Sequence, residues 1–201
     1  MRVPKERSAE NRVALLQAAS RLFRERGIDG VGVAEVAKAA GLTHGALYAH
    51  FPSKQALAAE AFSHGFETNL AAAQGAKREA PSFEDHLDAL LSQDARDGMA
   101  MGCPMTASAS EVARQGEAVS ANFANAFEQV VRILETSLGE TLTPAKRRAL
   151  AVATVAAKIG AIAVSRAVAM SNSTLADEVL TATKELLLTV RKTERARARG
   201  K

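Results

Sequence analysis

The 201-residue chain has one cysteine, no tryptophan, one tyrosine and five prolines. A lone Cys103 excludes an internal disulfide framework and any cysteine-based zinc site. Aromatic residues make up only 4%, and alternating β-branched runs are scarce. That argues against a sandwich or barrel and for packed helices. G-x-S-x-G, P-loop and H-E-x-x-H patterns are missing, and His64 and His86 stand apart from other ligating residues. Neither an enzyme, a metal site nor a cofactor is therefore expected. Residues 1–14 lack the apolar segment of a secretory signal, so the chain reads as cytoplasmic. Long hydrophobic runs are also lacking. The longest, Ala149–Val164, contains Thr154 and Lys158 and falls short of the about 20 apolar residues of a membrane span. It reads as a helix buried on most faces, with no membrane partner.

What is present is the mix of a globular chain, 47% hydrophobic and 24% charged. The net charge of +4 is uneven. Residues 1–55 hold nine Lys or Arg against five Asp or Glu, residues 56–190 eleven against sixteen, and residues 191–201 six against one. A basic amino-terminal part on an acidic body suits polyanion binding by the first part. Charge alone fits a solvated surface with a loose basic tail equally well.

Apolar spacing predicts a first helix from Ser8 to Arg26, carrying Val13, Leu16, Phe23, Leu15 and Leu22 and stopped by Gly27. Short helices are expected at 33–40 and 43–51, then a long one at 54–75 capped by Ser53. Further helices are expected near 82–97, 105–114, 117–138, 144–170 and 174–193. Thr143–Pro144 reads as a cap followed by proline at the first helical position. In the last helix Leu175, Val179, Ala182, Leu186 and Val190 read as core, with Leu180 and Leu187 alongside. Residues 191–201 lack apolar anchors and are expected to fray.

The informative stretch is VAEVAKAAGLTHGALYAHFP, residues 33–52. Small Ala37 lets a second helix approach, and Gly41 can supply the positive φ of a tight turn. Val36, Ala40, Leu42 and Leu47 can lock two short helices at a steep angle. This is the pattern of a helix-turn-helix, or of an arbitrary helical hairpin.

Residues 12–62 resemble the DNA-binding domain of TetR-family transcriptional repressors. The strings are ALLQAASRLFRERGIDG, VAEVAKAAGL and LYAHFPSKQAL, the last being the most specific. The resemblance implies an all-α chain: a helix-turn-helix domain over 1–54, a helical regulatory and dimerisation domain over 55–193, and a basic tail over 194–201. It also implies a homodimer that binds a near-palindromic double-stranded operator and releases it on effector binding. The rival is a helical protein-interaction module without specific DNA binding.

By resemblance, Thr43, His44, Gly45, Tyr48, His50 and Lys54 match the family's DNA-contacting positions. Their chemistry agrees. The second helix of such a motif enters the major groove with its amino-terminal residues nearest the base edges. Thr43 can cap the helix or bond phosphate, His44 can address a base edge, and Gly45 allows close approach. Tyr48 lies one turn after His44 on the same face, while His50 and Lys54 suit phosphate contacts. The alternatives are a core aromatic at Tyr48 and a buried histidine at His50. Arg2, Lys5 and Arg7 form an arm that could touch DNA, though a solvated tail reads better.

The chain departs from the family pattern at Gly32, Val33 and Ala34, where many relatives carry Thr-Thr or Ser-Thr and then Val-Arg. Ala34 has no guanidinium to read guanine, and Ala49 is small where many relatives place a large or polar residue. Direct base readout is therefore expected to be sparse, with phosphates and DNA shape carrying more of the affinity.

For regulation, the Ala/Gly-rich 144–170 helix and the last helix are expected to pair with their symmetry mates. Phe62, Phe66, Phe83, Leu87, Leu91, Phe123 and Phe127 could line an apolar effector pocket, but read better as plain core. Cys103 lies in Gly-Cys-Pro-Met at an expected helix start, where the dipole favours thiolate. GCPMTASASEVARQGEAV resembles a TetR-family branch, some members of which sense electrophiles or oxidants through a cysteine. The alternative is a small buried apolar residue.

Overall fold

Among the described residues, ten α-helices and one 3-10 turn follow one another. A computed structural model describes residues 5–75 and 80–199. The elements are α1 (Lys5–Arg26), α2 (Val33–Ala39), α3 (His44–Tyr48), α4 (Lys54–Gly75), α5 (Phe83–Leu90), α6 (Gln93–Asp97), α7 (Pro104–Ser108), the 3-10 turn Val112–Arg114, α8 (Glu117–Ser137), α9 (Pro144–Ala169) and α10 (Ser173–Arg199). The described residues contain no strand. They form two compact units, one of residues 1–73 and 99–126, the other of residues 74–98 and 127–201.

In the first unit, Leu15, Leu16, Ala19, Leu22 and Phe23 of α1 meet Val36 and Ala37 of α2, Leu47 of α3 and Leu57, Ala58 and Ala61 of α4. Ile28 and Val31 are buried too, so the α1–α2 connection is anchored by its own apolar residues. Val13, read as part of the apolar stripe, is instead exposed. In the second unit Phe83, Leu87 and Leu91 pack with Val131, Leu134, Leu138, Leu150, Val155, Ile162, Leu180 and Leu187.

Local caps set most boundaries. Ser82 and Asp85 form a reciprocal capping box, with Ser82 Oγ accepting from Asp85 N at 3.1 Å and Asp85 Oδ2 accepting from Ser82 N at 2.8 Å. Thr143 caps α9 through Lys146 N, with Pro144 at the first position.

Four expectations need correcting. The single helix expected at 82–97 breaks at Leu91, because Ser92 Oγ accepts from Ala95 N at 3.1 Å and starts α6 afresh. The helix expected at 105–114 is a five-residue α7 and a separate 3-10 turn. The frayed tail is instead helical to Arg199: Arg191 pairs with Glu84, and Glu194 with Lys146 and Arg197. Residues 200–201 lie outside the described residues. On α10, Ala176 is buried together with Leu180 and Leu187, expected alongside the core, whereas Leu175, Ala182, Leu186 and Val190, read as core, are exposed. The helix has two apolar faces, and periodicity alone does not say which one turns inward.

Polar ties complete the second unit. Arg166 Nε and Nη2 donate to the carbonyls of Arg96 (2.6 Å) and Ala95 (3.0 Å), closing the end of α6. Asp97, Glu128 and Glu194 are each held below the usual carboxylate range, chiefly by hydrogen bonds from Arg96, Arg148 and Lys146. Such depressed groups stabilise the fold above the ordinary carboxylate pKa and lose that contribution as pH falls through their lowered values. The midpoint of thermal unfolding, followed by circular dichroism, should therefore be steady near neutrality and fall as pH drops below about 4. Replacing Gly41, whose φ is +70°, by Ala should cost about 1–2 kcal/mol in a urea titration, because the left-handed region penalises a Cβ.

Candidate nucleic-acid interface

The end of α2 fixes the motif. Leu42 N donates to Ala37 O at 2.8 Å and Gly41 N to Lys38 O at 3.0 Å, a Schellman pair that only a left-handed Gly41 closes without strain. The chain then turns into α3. Thr43 is extended at the cap, and its Oγ1 accepts from Ala46 N at 3.2 Å. Capping uses an oxygen lone pair and keeps the hydroxyl proton for a phosphate acceptor.

α3 is only five residues long, and a helix of this length does not hold itself together. Leu47 and Phe51 hold it, both with no exposed surface. His50 N and Phe51 N each donate to Leu47 O at 2.9 Å, which turns the chain into Pro52. Ser53 Oγ then accepts from Ala56 N at 3.0 Å and starts α4 at Lys54. Arg12 of α1, which the sequence reading missed, lies 4.9 Å from the Phe51 ring centroid and pairs with Glu60 of α4. Neither spacing nor residue type flags Arg12, because its partners lie far along the chain.

With one face of α3 fixed inward, the other carries Thr43, His44, Gly45 and Tyr48, all exposed. The rings of His44 and Tyr48 stack edge-to-face with centroids 5.0 Å apart. Tyr48 is 45% exposed, so it is not a core aromatic. Nothing lies within 4 Å of a Cβ built on Gly45, so the fold itself does not require glycine there. His50 and Lys54 are half-buried at the carboxyl-terminal side of the motif. Gly32 stands at the α2 cap without a side-chain bond, and Ala34 and Ala49 are exposed. Lys5 and Arg7 are exposed in the first turn of α1, and Arg2 lies outside the described residues.

The effector candidates do not share one core. Phe62, Phe66 and Phe123 belong to the first unit, where Phe62 and Phe123 have ring centroids 5.9 Å apart. Phe83, Leu87, Leu91 and Phe127 belong to the second, and Phe83 and Leu87 are fully buried. Cys103 is half-buried at the cap of α7, and its electrostatic neighbour is Arg24 of α1. With only five residues, α7 offers Cys103 a smaller dipole than a long helix would.

The segment around α7 is tied to α1 and the α1–α2 connection. Arg24 Nε and Nη2 donate to Ala100 O at 2.9 and 2.6 Å. Glu111 Oε2 accepts from Ile28 N at 2.9 Å, and Gln115 Nε2 donates to Asp29 Oδ1 at 2.8 Å. Asn69 of α4 donates to the carbonyls of Met101 and Gly102 at 3.1 and 2.8 Å.

α9 is long and apolar enough to cross a membrane by composition alone, but Thr154, Lys158 and Ser165 are buried along its inner face. Its outer face is a stripe of small residues: Ala149, Ala153, Ala156, Gly160, Ala163 and Ala167.

Comparison with known proteins bears on this geometry. Residues 15–61 match the family of bacterial regulatory proteins of the tetR type, and residues 80–177 match the LmrA/YxaF-like transcriptional regulator C-terminal domain. The probable HTH-type transcriptional regulator ArpR of Pseudomonas putida is 36% identical over 90 residues, covering 45% of this chain and 40% of ArpR. The HTH-type transcriptional repressor BepR of Brucella suis is 46% identical over 54 residues, covering 27% of this chain and 26% of BepR. The chain thus aligns with less than half the length of these relatives. A TetR-family transcriptional regulator from Cytophaga hutchinsonii shares the fold, with a TM-score of 0.74 at 20% identity over 94% of this chain and 98% of that one. The amino-terminal helix-turn-helix, the matched carboxy-terminal domain and the shared all-helical fold together place this chain in the TetR family of DNA-binding transcriptional regulators, which are not enzymes.

Proposed function

We propose that the chain is a repressor that binds a near-palindromic operator as a homodimer, with α3 of each copy in the major groove. The observation that carries this reading is the exposed face of α3, which presents Thr43, His44, Gly45 and Tyr48 from a helix whose opposite face is fixed by buried Leu47 and Phe51. Thr43, Tyr48, His50 and Lys54 serve phosphates, and His44 addresses a base edge. With Ala34 and Ala49 at exposed positions, base readout is sparse and backbone contacts dominate. The two half-sites lie about one helical turn apart, or a multiple of it.

The dimer forms through the outer faces of α9 and α10. The small-residue stripe of α9 admits a close helix, and exposed Val164, Leu175, Leu186 and Val190 leave apolar surface that a second copy would cover. Release of the operator follows effector action on the same molecule. Of the two candidate sites, Cys103 is favoured over the phenylalanine set, because Phe62, Phe66, Phe83, Leu87 and Leu91 are buried core while Cys103 is half-buried beside the Arg24 cation. The chain acts in the cytoplasm, where its DNA is.

Operator affinity, measured by fluorescence anisotropy, should fall steeply as salt rises, and Tyr48→Phe combined with Lys54→Ala should weaken binding to all sequences alike while flattening the salt slope. A changed sequence preference would reverse these role assignments. Gly45→Ala should leave thermal stability unchanged or higher by up to about 1 kcal/mol, yet weaken operator binding by taking up the space needed at the groove. Leu186→Arg should turn a dimer into a monomer in sedimentation and abolish tight operator binding; a dimer that persists would move the interface elsewhere. Under a mild thiol-alkylating electrophile, the wild type should release operator while Cys103→Ser holds it, and equal release from both would end the thiol reading.

A further inference from the structure

A cleft of about 500 Å3 opens in the first unit between α1, α4, the end of α2 and the loop before α7. This is the volume range of small-molecule sites. Its polar side includes Arg24, Arg21 and Gln17, and its apolar side Ala18, Ala40 and Met101.

Arg24 is the unusual member. It is 8% exposed, and its guanidinium donates to the Ala100 carbonyl and, at 2.6 Å, to Ser20 Oγ, both neutral acceptors. Among the described residues no Asp or Glu lies within ion-pairing distance of it, in contrast to Arg12, Arg21 (paired with Glu25 at 3.2 Å on its solvent side), Arg26, Arg96, Arg148 and Arg191, which all have carboxylate partners. Burial draws its pKa below the ordinary value, with Cys103 and Glu25 opposing. Gly65 on the cleft wall makes room for this pair: a Cβ there would collide with the Arg24 guanidinium and the Ser20 hydroxyl. A guanidinium held away from water without a carboxylate is a costly arrangement that an arriving anion relieves, through charge-assisted hydrogen bonds.

We propose that this cleft binds a small amphiphilic carboxylate, its head at Arg24 and Arg21 and its hydrocarbon along Ala18, Ala40 and Met101. A neutral ligand of the same shape gains only the apolar wall. A ligand so placed rests on the last turns of α1, on the end of α2 and on the loop leading to Cys103. Binding is assayed without DNA, so the proposal stands or falls apart from operator recognition.

The probes are octanoate and octan-1-ol, titrated calorimetrically into the full chain. Octanoate should bind saturably at one site per chain and about tenfold or more tightly than the alcohol. Arg24→Gln should remove that preference, but Arg24 also holds the loop at Ala100, so its loss can disturb the fold. Gln17→Trp is the cleaner variant. Gln17 is exposed on α1 and takes no part in the Arg24 bonds, and an indole there occupies the cleft. It should weaken octanoate binding about tenfold with unchanged helical circular dichroism. Equal affinity for acid and alcohol, no saturable binding, or full affinity in Gln17→Trp would each overturn the proposal.

Discussion

Burial of Leu47 and Phe51 is the constraint on which the rest of this protein depends. A five-residue helix cannot pay the entropy of its own nucleation, so α3 exists as a helix only because these two side chains are locked among α1, α2 and α4. Fixing one face decides the other. With Leu47 turned inward, His44, Gly45 and Tyr48 are left exposed, and their spacing is that of a helix rather than of a loop. Arg12 adds a lateral brace, stacked on Phe51 and paired with Glu60.

The second organising feature is polar and directional. Residues 99–115 bury little apolar surface beyond Pro104, Met105 and Val112, and are held instead by hydrogen bonds to Arg24, Asn69, Ile28 N and Asp29. Hydrogen bonds tolerate far less displacement than apolar contacts do. Gly27 belongs to the same arrangement. Its left-handed φ and missing side chain make room for the Glu111 carboxylate, 2.4 Å from where a Cβ would stand.

Much of the architecture could be read in advance, for identifiable reasons. Gly27, Gly41, Pro52, Ser53 and the Thr143–Pro144 pair act over a few residues, so their effect is written locally. Apolar spacing runs straight through the breaks at Leu91 and Ser108; the Ser92 hydroxyl starts a new helix after the first, and beyond the second the Glu111 carboxylate accepts from Ile28 N, a partner far along the chain. By sequence Arg191 and Glu194 read as part of a solvated basic tail, because their partners, Glu84 and Lys146, are 107 and 48 positions away. Around α3, the local sequence is enough to expect a short helix carrying Thr43, His44, Gly45 and Tyr48, whereas Arg12 packed behind it has its partners far along the chain.

Residue pattern was enough for the helical class, the helix-turn-helix and the side chains carried by the exposed face of α3, since each follows from interactions between positions three to five apart. Which apolar face of α10 turns inward, how residues 99–115 are fastened to α1, and that Arg24 lies buried without a carboxylate all come from residues distant in the chain. Those choices depend on which surfaces compete for burial and which charges find partners, and only the assembled tertiary structure resolves that competition.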